Sequence, residues 1–326
     1  MEAQESPKGL IVDLITPLND KGGIDSDGLD SLLKGVLPYA DAILLAGPQM
    51  GEGRGLDVKM KIDLLEKATA FIQGRVPILF WVSEDSAEGT KKALALLEDL
   101  LDSCDYKGMT LWLDSPLFYH SNRGLYNHYE DLTSKTGHPF VLYNDPGLIK
   151  PLAKPLKRRN IRTNILKDLS RIERIKALIY MGSLTRAHNY QEALNSRPDF
   201  RVYDGDETRF LEHPSLSGVV SIGANVAPRI WSQVTRASLG MLREDREKPD
   251  YLDEIWAMAQ LLKDLMQIYN RNPVWIIKRA LFDLKIIGSH ACTPVTEPLR
   301  EEDSLLAEFI SRHHILQLSC NKWDLD

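Results

Sequence analysis

Two side chains at the ends of short apolar runs can do covalent and proton-transfer chemistry in this chain. In "NILKDLS", residues 164–170, Lys167 follows an apolar run and precedes Asp168. If that run enters a closed site, burial disfavours the ammonium form and leaves a nucleophilic amine. Such an amine condenses with a ketone or aldehyde to an iminium ion, which draws electrons from the neighbouring carbon and permits bond cleavage there. Tyr143 closes the preceding run, "PFVLY" at 139–143, and its phenol can pass a proton. Each has a plainer alternative. Lys167 can be an ion pair with Asp168 at a strand end, and Tyr143 an amphipathic plug with its hydroxyl in water.

Other motifs are less specific. The loop "GPQMGEG" (47–53) has no Gly-Lys-Ser/Thr ending, and Leu56 breaks the G-x-G-x-x-G spacing, so nucleotide binding is not supported. Its backbone N–H groups can cup a small anion such as a carboxylate, or it is an ordinary βα loop. "DGDE" (204–207) is a carboxylate cluster with no histidine at ligand spacing nearby, so a strand-end turn is expected in place of a metal site. His313 and His314 are adjacent and point to different faces of any helix, so they form no ligand pair.

The elements that must position these groups follow an alternation. Apolar runs at 10–16, 42–47, 76–83, 108–113, 139–145, 164–168, 200–206 and 218–223 are separated by stretches of helical periodicity. Eight evenly spaced strands with crossover helices predict an α/β fold, a (β/α)8 TIM barrel, with active residues at the strand exits. About a hundred residues follow, including "YLDEIWAMAQLLKDLMQIY" (251–269) and "SLLAEFISRHHIL" (304–316). We therefore expect a barrel at 1–228 and additional C-terminal helices at 229–326, packed on it.

Composition narrows the class. Apolar residues are 43% and charged residues 26% of the chain, enough for a large core. The formal charge of −6 is spread without a basic face, which argues against nucleic acid as a partner. Three cysteines at unrelated spacings fit neither a disulfide framework nor zinc. With no signal-peptide pattern and no membrane-length apolar run, the expected compartment is cytoplasmic.

Taken in order, "GLIVDLITPLNDKGGIDSDGLDSLL", "GPQMGEGRGL", "SPLFYHSNRGLYNHY", "YNDPG", "ILKDLS", "GDE", "GVVSIGANVAP" and "NPVWIIKRAL" make the chain resemble the dihydrodipicolinate synthase and N-acetylneuraminate lyase family of Schiff-base aldolases nearly end to end. The resemblance implies a lyase acting on an α-keto acid, pyruvate or a 2-keto-3-deoxy sugar acid, with Lys167 as the iminium-forming lysine, Tyr143 as the proton relay, and neither metal nor other cofactor. It also implies that Gln49, Met50 and Gly51 stand in the carboxylate-holding loop, that Gly205 and Val220 offer main-chain contacts, and that the chain forms a homo-oligomer, tetramer or dimer.

The chain departs from the family pattern in three places. Gln49 and Met50 replace a hydroxyl pair, and Leu148 stands where the synthases place an arginine. Among Pro116, Leu117, Phe118 and Tyr119, only Tyr119 can serve as the tyrosine lent between subunits, with a one-residue shift. Losing a hydrogen bond to a charged group costs about 1.5–3 kcal/mol. The alternative to an enzyme is a barrel of the same family that binds a metabolite without turning it over.

Overall fold

The computed structural model describes residues 5–152, 158–215, 217–241 and 251–293, with Phe309 and Arg312. Eight parallel strands close into a barrel in chain order: β1 (Gly9–Asp13), β2 (Ala42–Leu45), β3 (Ile78–Trp81), β4 (Thr110–Asp114), β5 (Phe140–Asn144), β6 (Ile175–Tyr180), β7 (Arg201–Asp204) and β8 (Gly218–Ser221). Ladders run from β1–β2 round to β8–β1, so no edge is left open.

The strands are apolar on both faces because side chains alternate between the barrel interior and the surrounding helices. At the lower rim β1 and β8 meet through Gly9 and Gly218, both at positive φ. A Cβ on Gly218 would fall 1.9 Å from the Gly9 carbonyl oxygen, so only glycine closes this seam.

Between and after the strands lie α1 (Ser26–Val36), α2 (Val58–Ile72), α3 (Ala87–Ser103), α4 (Pro116–Tyr119), α5 (Leu125–Ser134), α6 (Pro146–Ile149), α7 (Thr163–Leu169), α8 (Leu184–Ala193), α9 (Glu207–Glu212), α10 (Pro228–Ser238), α11 (Tyr251–Tyr269) and α12 (Pro273–Asp283). Starts are marked by side-chain caps: Asp25 accepts from Gly28 N, Asp57 from Met60 N, Ser86 from Gly89 N and Ser183 from Arg186 N. No described helix is long and apolar enough to cross a membrane.

The expected sixth strand at 164–168 is corrected: "NILKD" is part of helix α7. Leu166 and Leu169 are buried at a spacing of three, with Ile165 partly buried, which is a helical stripe. The strand is the following apolar run, "IKALIY", and α7 packs outside it against α5 and α8. Lys167 is exposed on that outer helix.

After β8, α10 packs on β1, β8 and α1, and α11 packs on α10, α9 and α12. We take the part from α10 onward as the C-terminal extension. Most of the helix expected at 304–316, including His313 and His314, lies outside the described residues. A buried ion pair ties the extension to the barrel: Lys278 of α12, 0% exposed, pairs with Glu52 of the β2 loop and donates to the Ala291 carbonyl at 2.6 Å. Thr293 N donates to the same carboxylate at 2.7 Å.

Removing one member of such a pair leaves a buried charge without its partner. Lys278→Met should therefore lower unfolding free energy by about 3–5 kcal/mol in denaturant titrations. The double variant Lys278→Met/Glu52→Gln should recover most of that loss.

Candidate active site

The strand exits converge on a cavity of about 150 Å³ lined by Asp13, Met50, Tyr143, Met181, Glu207 and Tyr269, among others. Asp13 ends β1, Tyr143 stands next to last in β5, and Met181 follows β6. Gly205, Asp206 and Glu207 come from the turn after β7, and Val220 from β8. The extension closes one side with Met266 and Tyr269 of α11, Asn270 just after it and Pro273 of α12. A larger depression of about 810 Å³ lies before β3 and β4, among Gln73, Pro77 and Tyr106. That is the barrel end where stability is built, not chemistry.

Asp13 is 6% exposed, and its Oδ1 has no hydrogen-bond partner among the described residues. Its carboxyl rests on the Gly47 backbone, where a Cβ would come within 2.3 Å of Oδ1. Burial, reinforced by the Glu207 carboxylate, pushes the Asp13 carboxyl well above the usual range.

Glu207 is also buried but is satisfied. Its Oε1 accepts from Ser221 Oγ at 2.5 Å and Gly223 N at 2.8 Å, and its Oε2 from Tyr269 Oη at 2.5 Å. Burial raises this carboxyl, and the bonds from Ser221, Tyr269 and Gly223 draw it part of the way back.

Tyr143 donates its hydroxyl to Met181 Sδ at 2.8 Å, and burial holds the phenol well above its ordinary value. A thioether is a weak acceptor, so a ligand oxygen can take this donor at little cost.

Of the residues expected at the site, Tyr143, Met50, Gly205 and Val220 line this cavity. Four others do not line it. Gln49 donates its side-chain amide to the Asp145 carboxylate, and Gly51 is buried with its carbonyl accepting from Thr16 Oγ at 2.6 Å. Tyr119 donates to Asp114 Oδ2 at 2.8 Å and lies 3.0 Å from His128 Nε2. Asp114 also accepts from Ser83 at 2.6 Å and Tyr129 at 2.6 Å, which makes this cluster a separate structural knot at the β3 and β4 exits.

The fourth is Lys167, and here the expectation of a buried amine is overturned by its exposed place on α7. On β6 itself, alternation sends Lys176 outward beside Asp199, on the face that packs Tyr180 against Tyr190 of α8. The opposite face carries Ile179, register partner of Tyr143, and Met181 follows it to the cavity. Among the described residues no lysine lines this cavity. No group of three or more His, Cys, Asp or Glu among them is arranged to hold a metal ion.

The family profile described as the dihydrodipicolinate synthetase family matches residues 6–311. The chain belongs to that family. Among similar family members, the 4-hydroxy-tetrahydrodipicolinate synthase of Pseudomonas savastanoi pv. phaseolicola is 28% identical over 306 residues, covering 90% of this chain and 96% of its own. That of Shewanella pealeana is 28% identical over 319 residues, covering 94% and 98%. Enzymes so named are lyases, and this chain is a member of a lyase family. The fold agrees with solved synthases: the Aquifex aeolicus structure is 23% identical with a TM-score of 0.76, covering 94% of this chain and 98% of that one. The Bacteroides thetaiotaomicron structure is 19% identical with a TM-score of 0.78, covering 95% and 100%.

Sequence reasoning missed Asp13, Met181 and Tyr269 in this member of the family. The signal for Asp13 was a carboxylate inside the run "LIVDLIT". Because its pKa is raised, folded Asp13 keeps its proton where the unfolded chain has lost it. Its stability term is therefore whole below the ordinary carboxylate pKa and lost as pH rises through its own, at about 1.4 kcal/mol per pH unit. Asp13→Asn should thus gain melting temperature over the unmodified protein, by a margin that widens as pH rises above the ordinary carboxylate range. A margin independent of pH would show that Asp13 is ionised in the fold.

Proposed function

We propose that this protein is a lyase that binds a small carbonyl compound of the α-keto acid class, pyruvate or a 2-keto-3-deoxy sugar acid, in the barrel mouth. It activates the compound by hydrogen bonding and proton transfer, not through an iminium at Lys167. The observation that carries this reading is Tyr143, whose phenol reaches the cavity from the β5 exit and, among the described residues, donates to the Met181 thioether alone. Kinship supports the substrate class. The relatives are named as synthases, and the Acinetobacter baumannii synthase, 21% identical with a TM-score of 0.76 over 95% of this chain, was solved in complex with pyruvate.

The ligand's carboxylate would rely on main-chain groups near Met50, Gly205 and Val220, since the Gln49 amide is committed to Asp145. That commitment, and the cavity's lack of a lysine among the described residues, favour the second reading: a barrel that binds the metabolite without turnover. For assembly we propose a homo-oligomer, tetramer or dimer, and for compartment the cytoplasm.

Borohydride reduction with a panel of α-keto acids should leave Lys167 without added mass, and Lys167→Ala should keep full activity. Tyr143→Phe should lower turnover of the productive keto acid roughly 100-fold or more. An adduct at Lys167 would contradict the proposal, and saturable binding without turnover would decide for the second reading.

A further inference from the structure

We propose that the Asp13 carboxyl and the Tyr143 hydroxyl form a two-donor hole for the ligand's carbonyl oxygen, with Asp13 as a catalytic residue in the polarising role that an iminium would otherwise fill. The inference deepens the carbonyl-site reading above and rests on it.

Both groups line the same cavity of about 150 Å³. One is a buried carboxyl whose Oδ1 has no partner among the described residues; the other is a phenol whose partner is a sulfur. That Oδ1 is sealed against the Gly47 backbone, so a carboxyl without a cation lowers the cost of its burial by keeping a proton, and its other oxygen is the one that can meet a ligand. The remaining buried carboxylate in the lining, Glu207, is occupied by Ser221, Gly223 and Tyr269, so it does not compete for the incoming group.

Among the described residues, the cavity lining includes no lysine, arginine or histidine. A carbonyl oxygen entering it therefore finds charge-stabilising contacts only from hydrogen-bond donors. Burial and then the neighbouring Glu207 carboxylate push the Asp13 carboxyl well above the usual range, which favours its protonated, donating form. A neutral carboxylic acid beside a phenol in an apolar site is an established arrangement for holding an enolate oxygen.

Negative charge grows on the carbonyl oxygen as a bond at the neighbouring carbon is made or broken. Preorganised donors strengthen with that charge, and this lowers the barrier. The two contacts are hydrogen bonds to one oxygen, and no bond to the protein forms. Met50, Met181 and Met266 make the surroundings of the two donors apolar, which strengthens the contacts.

Carbon-13 NMR of carbonyl-labelled pyruvate, and of its uncharged isostere pyruvamide, tests the hole. Bound probes should show a carbonyl signal moved downfield from the free position. Asp13→Leu and Tyr143→Phe should each weaken binding about tenfold and lose part of that movement. Asp13→Asn keeps a donor, so it should retain the movement and lose its decline with rising pH. A bound carbonyl at the free position, or a movement unchanged in Asp13→Leu, overturns the hole and leaves the carbonyl site standing. No saturable binding of either probe overturns the site and the hole together. A signal at the iminium position overturns the hole and any noncovalent activation.

Discussion

A carboxyl group taken out of water must either find a cation or keep its proton. Among the described residues, no lysine, arginine or histidine lines the cavity at the exit of β1. Asp13 lies against the Gly47 backbone with Glu207 nearby, while Lys278 is committed to Glu52, Arg209 to Asp204 and Lys61 to Glu84. The cheaper course is to remain neutral, and a neutral acid is a donor. On our proposal, this one constraint turns a cavity lined by carboxyl groups into a place where an oxygen can be held.

The second constraint is the alternation of β6. Its ladder with β5 sets Ile179 opposite Tyr143, so the inward face of the strand carries hydrocarbon and then the Met181 thioether. Lys176 faces the opposite way, toward the helical layer. A one-residue slip would exchange the two faces, but Tyr180 packed on Tyr190 fixes the register. The extension completes the site, since Tyr269 of α11 holds Glu207 in place and α12 is locked to the β2 loop through Lys278.

The barrel was legible because parallel strands buried on both faces read as continuous apolar runs, and seven of the expected positions coincide with strands. The eighth failed at "NILKD", where a short apolar run does not distinguish strand from helix; burial of Leu166 and Leu169 on one helical stripe decided it. The same misplacement carried Lys167 into the site. Tyr143, Met50, Gly205 and Val220 were legible because they stand at strand exits. Tyr269 was not, because no local pattern tells which residue of a long amphipathic helix reaches back over the barrel. Gln49 and Tyr119 could not be read from type alone, since their hydrogen bonds go to Asp145 and Asp114, which are set by tertiary contact.

The chain thus keeps the architecture of its family, and the described lining of its cavity holds Asp13 and Glu207 and no lysine. The protonation state of Asp13 tests this account most directly. An infrared difference spectrum at neutral pH between the unmodified protein and Asp13→Asn should contain a carboxylic-acid carbonyl band that the variant lacks. A difference spectrum with carboxylate bands alone would mean that Asp13 is charged in the fold, and the two-donor arrangement could not exist.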